Sequence, residues 1–383
     1  MATSPINYMI LSPQELTRRH IRRAQYVSCD DAFVDVRLPG SMPKENYAIV
    51  GPGVTQNANQ VINLREPHGF NIGAAGMAPG ITNNQHLHFT SEVFIACEGR
   101  FVLRWGAYGD EGEAVLEEGD LMCMPTWMFR GFANCGTRHG FLMTVLGGDD
   151  TGGIIWSPEV LRRARATGLY LGRNNQLIDV PAGQPAPADH TLLPFMPADE
   201  VAALKRWSAP ALMARCVRPA QRDFRPATLD TALRGHAWQL APAIGWGVSQ
   251  HRDHHPAVAE PQGFSVEWLK VPAGQRSAAF RLNEAAVLVH ADGPLNVAFN
   301  QGSDMVHAEL GAWDTLSMPP GCWRQFINHG SQDAHALLVV AGDARKTPLF
   351  DASVHAAAGQ ADICLDAGGR LARQSLLPPA MTA

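Results

Sequence analysis

From about Phe70 the chain breaks into short apolar segments separated by Gly, Asp and Asn: FNIGAAGMAPG, EVFIACEG, RFVLRWG, EAVLEEGD, LMCMP and GFLMTVLGGDD. Segments of that length, rich in Val, Ile, Phe, Leu and Met and spaced by turn residues, predict strands of a sandwich or barrel. The same texture returns at about Thr228 and runs to about residue 345. Between the two lie helical and loop signals. Ser157-Pro158-Glu159 opens a helix that Gly168 closes, Val180–His190 is a Pro/Ala-rich linker, and Pro197–Trp207 reads as another short helix. Near the start, Ser12-Pro13-Gln14-Glu15 is a capping box with proline at the first helical position, followed by LTRRHIRRA. Residues 30–70 read as irregular, with short strands at Tyr47–Val50 and Gln60–Leu64, and the Ala/Gly-rich tail after Thr347 reads as loosely packed. The expected chain is all-β. Residues 1–69 pack on the barrels, 70–150 form a first barrel, 151–230 connect, 231–346 form a second barrel and 347–383 are a tail.

The two β-rich regions align at a fixed offset of 194 residues. Gly80 falls on Gly274, Gly99 on Gly293, Asp120 on Asp314, Pro125 on Pro319 and Arg130 on Arg324. Phe132, Asn134 and Gly136 fall on Phe326, Asn328 and Gly330, and Gly148-Asp149 falls on Gly342-Asp343. About seventy residues match without a gap. Self-similarity over that span predicts two copies of one β domain in tandem.

Composition narrows the classes. A length of 383 residues with 46% hydrophobic and only 17% charged residues favours two packed domains over a disordered chain. A net charge of -5 with no basic run points away from nucleic acid and anionic membranes. No apolar run approaches a membrane span, and MATSPINYMILSPQEL has neither the basic nor the apolar region of a secretory signal. The 7 cysteines, an odd number without C-x-x-C, read as reduced thiols. A cytoplasmic protein is expected.

The candidate chemistry sits in Gly80–Gly99, GITNNQHLHFTSEVFIACEG, where His86, His88 and Glu92 form H-x-H-x3-E. Alternate residues of an extended strand share a side, so one strand through this stretch places all three on one face. Two imidazoles and a carboxylate suit a divalent first-row metal. The competing reading is two histidines on a half-exposed strand beside a solvated glutamate. His251, His254 and His255 in SQHRDHHPAV read as a mobile surface loop.

Gly80-x5-His86-x-His88-x3-Glu92-x6-Gly99 matches the first cupin motif in full, and Gly119-x5-Pro125, ending at Asn134, resembles the second. With the repeat, the chain resembles a bicupin over residues 70–150 and 262–345. The resemblance implies two tandem antiparallel jelly-roll barrels and metal chemistry on a small molecule. The two-barrel layout, the middle segment and the PTW at Pro125–Trp127 are similar to gentisate 1,2-dioxygenase-like ring-cleaving enzymes. Those enzymes use three histidines and generally lack the glutamate, whereas this chain keeps Glu92 and lacks the third histidine.

The family's further histidine is replaced here by Arg130, and its usual glycine by Trp127. Arginine has no lone pair for a metal. The resemblance therefore implies His86, His88 and Glu92 as the ligand set, with positions open for substrate, water or dioxygen. His139 and Gln85 are weaker candidates for a substitute ligand. In the second repeat the ligand positions are Phe280, Leu282 and Ala286, followed by Arg324, so that barrel is expected to bind no metal and to fill its interior partly with side chains. Arg130 has two readings: a guanidinium fork that binds a substrate carboxylate, which is favoured, or a structural partner of Glu92. For Arg324 pairing with a carboxylate such as Glu284 is favoured. Phe94, Arg104 and Trp127 are further candidates for substrate contact. The expected activity is an Fe(II)-dependent dioxygenase acting on a small anionic aromatic or oxygen-rich metabolite. The alternatives are a lyase, isomerase or hydrolase using Mn(II), Ni(II) or Zn(II) as Lewis acid, or a non-catalytic ligand-binding bicupin. Exposed barrel edges make a homo-oligomer the expected assembly.

Overall fold

The computed structural model describes residues 8–378. The chain is mostly antiparallel strand with a few short helices, as the alternation predicts. Tyr26–Pro219 form one compact unit, and the other described residues, before and after it in sequence, form the second.

In the Tyr26–Pro219 unit one sheet runs in the order Cys216–Val217, Leu121–Met124, Glu92–Glu98, Gly140–Gly147, Phe70–Met77, Lys44–Val50, Ser28–Cys29, with Ile62–Leu64 parallel to Lys44–Val50. A five-stranded sheet runs Ile154–Trp156, Thr82–His88, Arg130–Asn134, Phe101–Trp105, Gly112–Leu116. Their inward positions form one core that includes Phe94, Ala96, Phe101, Leu103, Trp105, Met122 and Leu142. In Phe101–Trp105 Leu103 and Trp105 are buried and Arg104 between them is exposed, while Val102 is buried as well.

The second unit repeats this plan. Glu92–Glu98 corresponds to Ala286–Asp292, Phe101–Trp105 to Leu295–Phe299, Gly112–Leu116 to Val306–Leu310, Leu121–Met124 to Thr315–Met318 and Gly140–Gly147 to Ala334–Ala341, each at the 194-residue offset. The repeated small motifs have matching work. Asn134 donates to the carbonyls of Met77 and Arg138, both at 2.8 Å, and accepts from the Gly136 N–H. Asn328 does the same with Val271, Gln332 and Gly330. Gly99 and Gly293 both have positive φ, and a Cβ on Gly99 would lie 2.9 Å from the Gly140 Cα, so the tight turn and close approach require glycine.

Several boundaries differ from those expected. Residues 8–25 join the second unit, where Leu11 and Leu16 enter its core and His20–Ile21 pair with Thr315–Leu316. The capping box is formed, but its helix is only Pro13–Arg19, because the next residues pair as strand. Residues 26–69 and 151–219 belong to the first unit. The helix Pro158–Ala166 is as expected, while the later one shortens to Ala198–Ala203. The tail is not loose over its described part. Asp351 caps a helix Ala352–Gln360 whose Val354 and Ala358, four residues apart, reach the core. A hairpin, Ile363–Leu365 with Leu371–Arg373, follows; residues 379–383 of the expected tail, and residues 1–7, lie outside the described residues. No helix among the described residues is long and apolar enough to cross a membrane.

Candidate metal centre

His86 and His88 point inward from Thr82–His88, which is paired on one side with Arg130–Asn134 and on the other with Ile154–Trp156. The strand ends at His88, Phe89–Ser91 are irregular, and Glu92 opens a strand of the other sheet. The expectation of three ligands on one strand is therefore corrected. The bend after His88 sends the carboxylate to the other layer, and the three side chains meet across the interior. One atom from each lies within 4.8 Å of the other two.

All three side chains are buried, and His88 is 0% exposed. His86 Nδ1 lies 2.7 Å from the Asn84 carbonyl. A carbonyl only accepts, so Nδ1 carries the proton and Nε2 keeps its lone pair. Neither ring nitrogen of His88 has a hydrogen-bond partner among the described residues; its Nε2 lies 3.6 Å from Glu92 Oε2. Burial, then the Arg130 charge, pushes the His86 pKa down to about 3. The same two causes push His88 well below its ordinary value. Both rings are thus neutral at neutral pH, which metal ligation needs. Burial pushes the Glu92 carboxyl up, while Arg130 opposes that shift and favours the carboxylate. A divalent cation fits this donor set, because it would engage the lone pair of His88, a buried ring with no hydrogen-bond partner among the described residues.

Arg130 does not present its fork to a ligand. Its Nε and Nη2 donate to Glu92 Oε2 at 3.1 and 2.9 Å, and its Nη1 donates to the Met128 carbonyl at 3.2 Å. The favoured substrate-binding reading is corrected to the pairing with Glu92. The other expected contacts also move. Phe94 is core, packed edge-on against Phe132 at 5.3 Å between ring centroids, and Phe132 is the one that borders the site. Arg104 faces outward and pairs with Glu113 at 3.1 Å. Trp127 is half-exposed against Phe89, and its φ of 54° is the left-handed conformation that explains the family's glycine there. Gln85 turns outward to the Arg104 carbonyl, and His139 lies 3.4 Å from Glu45, so neither supplies a ligand.

The three residues border a cavity of about 50 Å³. Its wall includes Gly73, Ala74 and Ala75 from FNIGAAGM, where strand alternation elsewhere supplies bulk. Lys44 and Asn83, also in the wall, were not singled out in the sequence. Lys44 Nζ is buried, bridges both Asp35 oxygens at 2.7 and 2.8 Å, and donates to Asn83 Oδ1 at 2.6 Å. Asn83 is thereby oriented with its NH₂ toward His86, 3.4 Å from Nδ1. The run of small residues was a readable sign of a void. The Asp35–Lys44 pair was not, because both residues lie in the stretch 30–70 that read as irregular.

In the second unit Phe280, Leu282 and Ala286 are fully buried, and Phe280 packs among Trp238, Phe326 and Phe350. Arg324 makes no hydrogen bond with Glu284, against expectation; its Nη2 donates to the Pro319 carbonyl at 2.8 Å.

No protein-family model matches the sequence, and no curated protein matches it. Solved structures do. Vicilin from Capsicum annuum aligns at a TM-score of 0.52 and 10% identity, covering 87% of this chain and 88% of that one. Vicilin from Corylus avellana aligns at 0.50 and 11%, covering 86% and 87%. Bacillus subtilis oxalate decarboxylase, in a structure concerned with its Mn(II) centres, aligns at 0.50 and 10%, covering 85% and 78%. These likenesses show the fold, two tandem cupin domains; they do not single out the gentisate dioxygenase layout.

Proposed function

We propose that the N-terminal barrel of this two-domain cupin is a metal-dependent enzyme site for a small, oxygen-rich anion, with His86, His88 and Glu92 as the protein ligands. The observation that carries the reading is His88, fully buried with two unpartnered nitrogens beside a neutral His86 and a carboxylate. A divalent ion held there supplies Lewis acidity, with positions left open by only three protein ligands. The chain's own residues do the rest. The Asn84 carbonyl fixes the tautomer and tilt of His86. Arg130 holds Glu92 through Oε2, the oxygen that lies 3.6 Å from His88 Nε2. Asn83, its oxygen taken by Lys44, offers N–H donors to a ligand oxygen.

Fe(II) and dioxygen, a dioxygenase reaction, are the first reading of the chemistry, because two histidines and one carboxylate with open positions are the set used by non-haem iron oxygenases. The cavity argues for a compact acid over an aromatic one. A benzene-sized cavity is about 150 Å³, and this one is about 50 Å³. That tightness also favours a second reading, a lyase, isomerase or hydrolase using Mn(II), Ni(II) or Zn(II), which needs no room for dioxygen beside the substrate. We also propose a cytoplasmic homo-oligomer, since all the cysteines are free and Gly112–Leu116 and Val306–Leu310 are sheet edges. Light scattering giving a monomer mass would remove the oligomer.

The test begins with metal analysis of protein purified without chelator. His86→Ala is expected to lose most of the metal. Oxygen uptake by Fe(II)-loaded protein with a panel of small hydroxy- and dicarboxylic acids supports the dioxygenase. Turnover without oxygen, with Mn(II), supports the second reading. A protein that binds no metal, and whose ligand affinity is unchanged in Glu92→Ala, is a binding protein and not this enzyme.

A further inference from the structure

The two units keep one strand register around different contents. In the first, Arg130 is paired in the ladder with His86, and Glu92 with Met124. In the second, Arg324 is paired with Phe280, and Ala286 with Met318. Each of these four lies 194 positions after its counterpart. Arg324 therefore stands toward Ala286 as Arg130 stands toward Glu92, but the carboxylate has been replaced by a methyl group.

Arg324 is 0% exposed. Its Nη2 is held by the Pro319 carbonyl and lies 3.7 Å from Cys322 Sγ. Its Nε and Nη1 are buried and have no hydrogen-bond partner among the described residues. A guanidinium stays protonated, and a buried charge without a counter-charge is strongly unfavourable. No carboxylate bonds to it: Glu284, only partly buried, attracts it electrostatically but makes no hydrogen bond with it. The Cys322 thiol donates to the Pro319 carbonyl at 3.2 Å, and burial pushes it up, away from the thiolate. A second buried guanidinium, Arg19, donates to Ser317 in the same unit and also acts electrostatically on Cys322.

We propose that the C-terminal barrel binds a small monovalent anion, a halide or a formate-sized carboxylate, against Nε and Nη1 of Arg324, in the position that the Glu92 carboxylate fills in the other barrel. Phe280 and Leu282, where the other barrel has histidines, make the surroundings apolar. They exclude a metal, a large anion or a multiply charged one, and they strengthen the one charge–charge contact. The anion completes the fold of this barrel.

The probe is sodium formate, compared at equal ionic strength with sodium gluconate, whose anion is too large for a slot the size of a carboxyl group. The thermal midpoint is measured for the full-length protein and for Arg324→Met, Ala286→Glu and His86→Ala. The wild-type midpoint is expected to rise by roughly 5 °C between 1 and 100 mM formate. Arg324→Met, which removes the charge, and Ala286→Glu, which supplies a carboxylate from within the chain, are expected to show no rise. His86→Ala is expected to keep it, which separates this site from the candidate metal centre. If Arg324→Met does not fold, Ala286→Glu carries the test. No rise in the wild type, a rise retained in Arg324→Met or Ala286→Glu, or a rise lost in His86→Ala overturns the proposal.

Discussion

Arg130 and Glu92 are a buried ion pair in a barrel interior, and removing one partner leaves the other as an uncompensated charge. Arg130→Met is therefore expected to destabilise the N-terminal unit by about 3 kcal/mol in urea unfolding. It should also lower metal content, because Glu92 loses the contact that aims it. Glu92→Gln, which keeps the shape and one acceptor, should cost less stability but as much metal. Which groups form the site was legible from H-x-H-x3-E, because spacing of two on a strand fixes a shared side. That Glu92 comes from the other sheet was not, since nothing in FTSE marks where the bend falls. The role of Arg130 hung on a choice between a ligand and Glu92 as partner, and only the position of the carboxylate decides it. Trp127 is the opposite case. A bulky residue stands in the place of a glycine, and the chain adopts the glycine conformation all the same.

At the scale of elements, the matched asparagines tie the end of one strand to a turn and a neighbouring strand. Asn134→Ala and Asn328→Ala each strand two carbonyls and a partly buried N–H, and each is expected to cost about 2 kcal/mol, read as a shift in denaturation midpoint with unchanged slope. The histidine-rich turn 251–255 read as a mobile surface, because polar residues in sequence do not reveal which one turns inward. His254 does: its Nδ1 is 2.6 Å from Ser249 Oγ and its Nε2 is 3.1 Å from the Asp223 carbonyl. Burial, first, and the neighbouring His251 lower its pKa to about 4. The folded protein thus refuses a proton that the unfolded chain accepts below its ordinary value of 6.5. Stability from this group is present above that pH and is lost as pH falls through the window from 6.5 to about 4. His254→Gln should flatten this part of the pH–stability curve by roughly 2 kcal/mol, measured by denaturation at a series of pH values. An unchanged slope would place the acid sensitivity elsewhere.

For the molecule as a whole, the internal repeat was the most legible feature, because strand lengths and turn glycines recur without a gap. It also carries the negative expectation. Phe280, Leu282 and Ala286 leave one candidate metal group among the described residues, that of the first unit. Elemental analysis should give about one divalent ion per chain, and a second equivalent lost on mutating residues 280–286 would contradict that. The domain boundaries were less legible, since short pairings such as His20–Ile21 with Thr315–Leu316 have no periodicity to show.

That pairing has a consequence for biosynthesis. His20 and its partner Asp314 are 294 residues apart. At about 5–20 residues per second, the opening segment leaves the ribosome roughly 15–60 s before the strand it joins. The whole Tyr26–Pro219 unit can be completed in the interval, since its sheets draw on no residue outside that span. The other unit is closed last, by a segment made before the first unit begins.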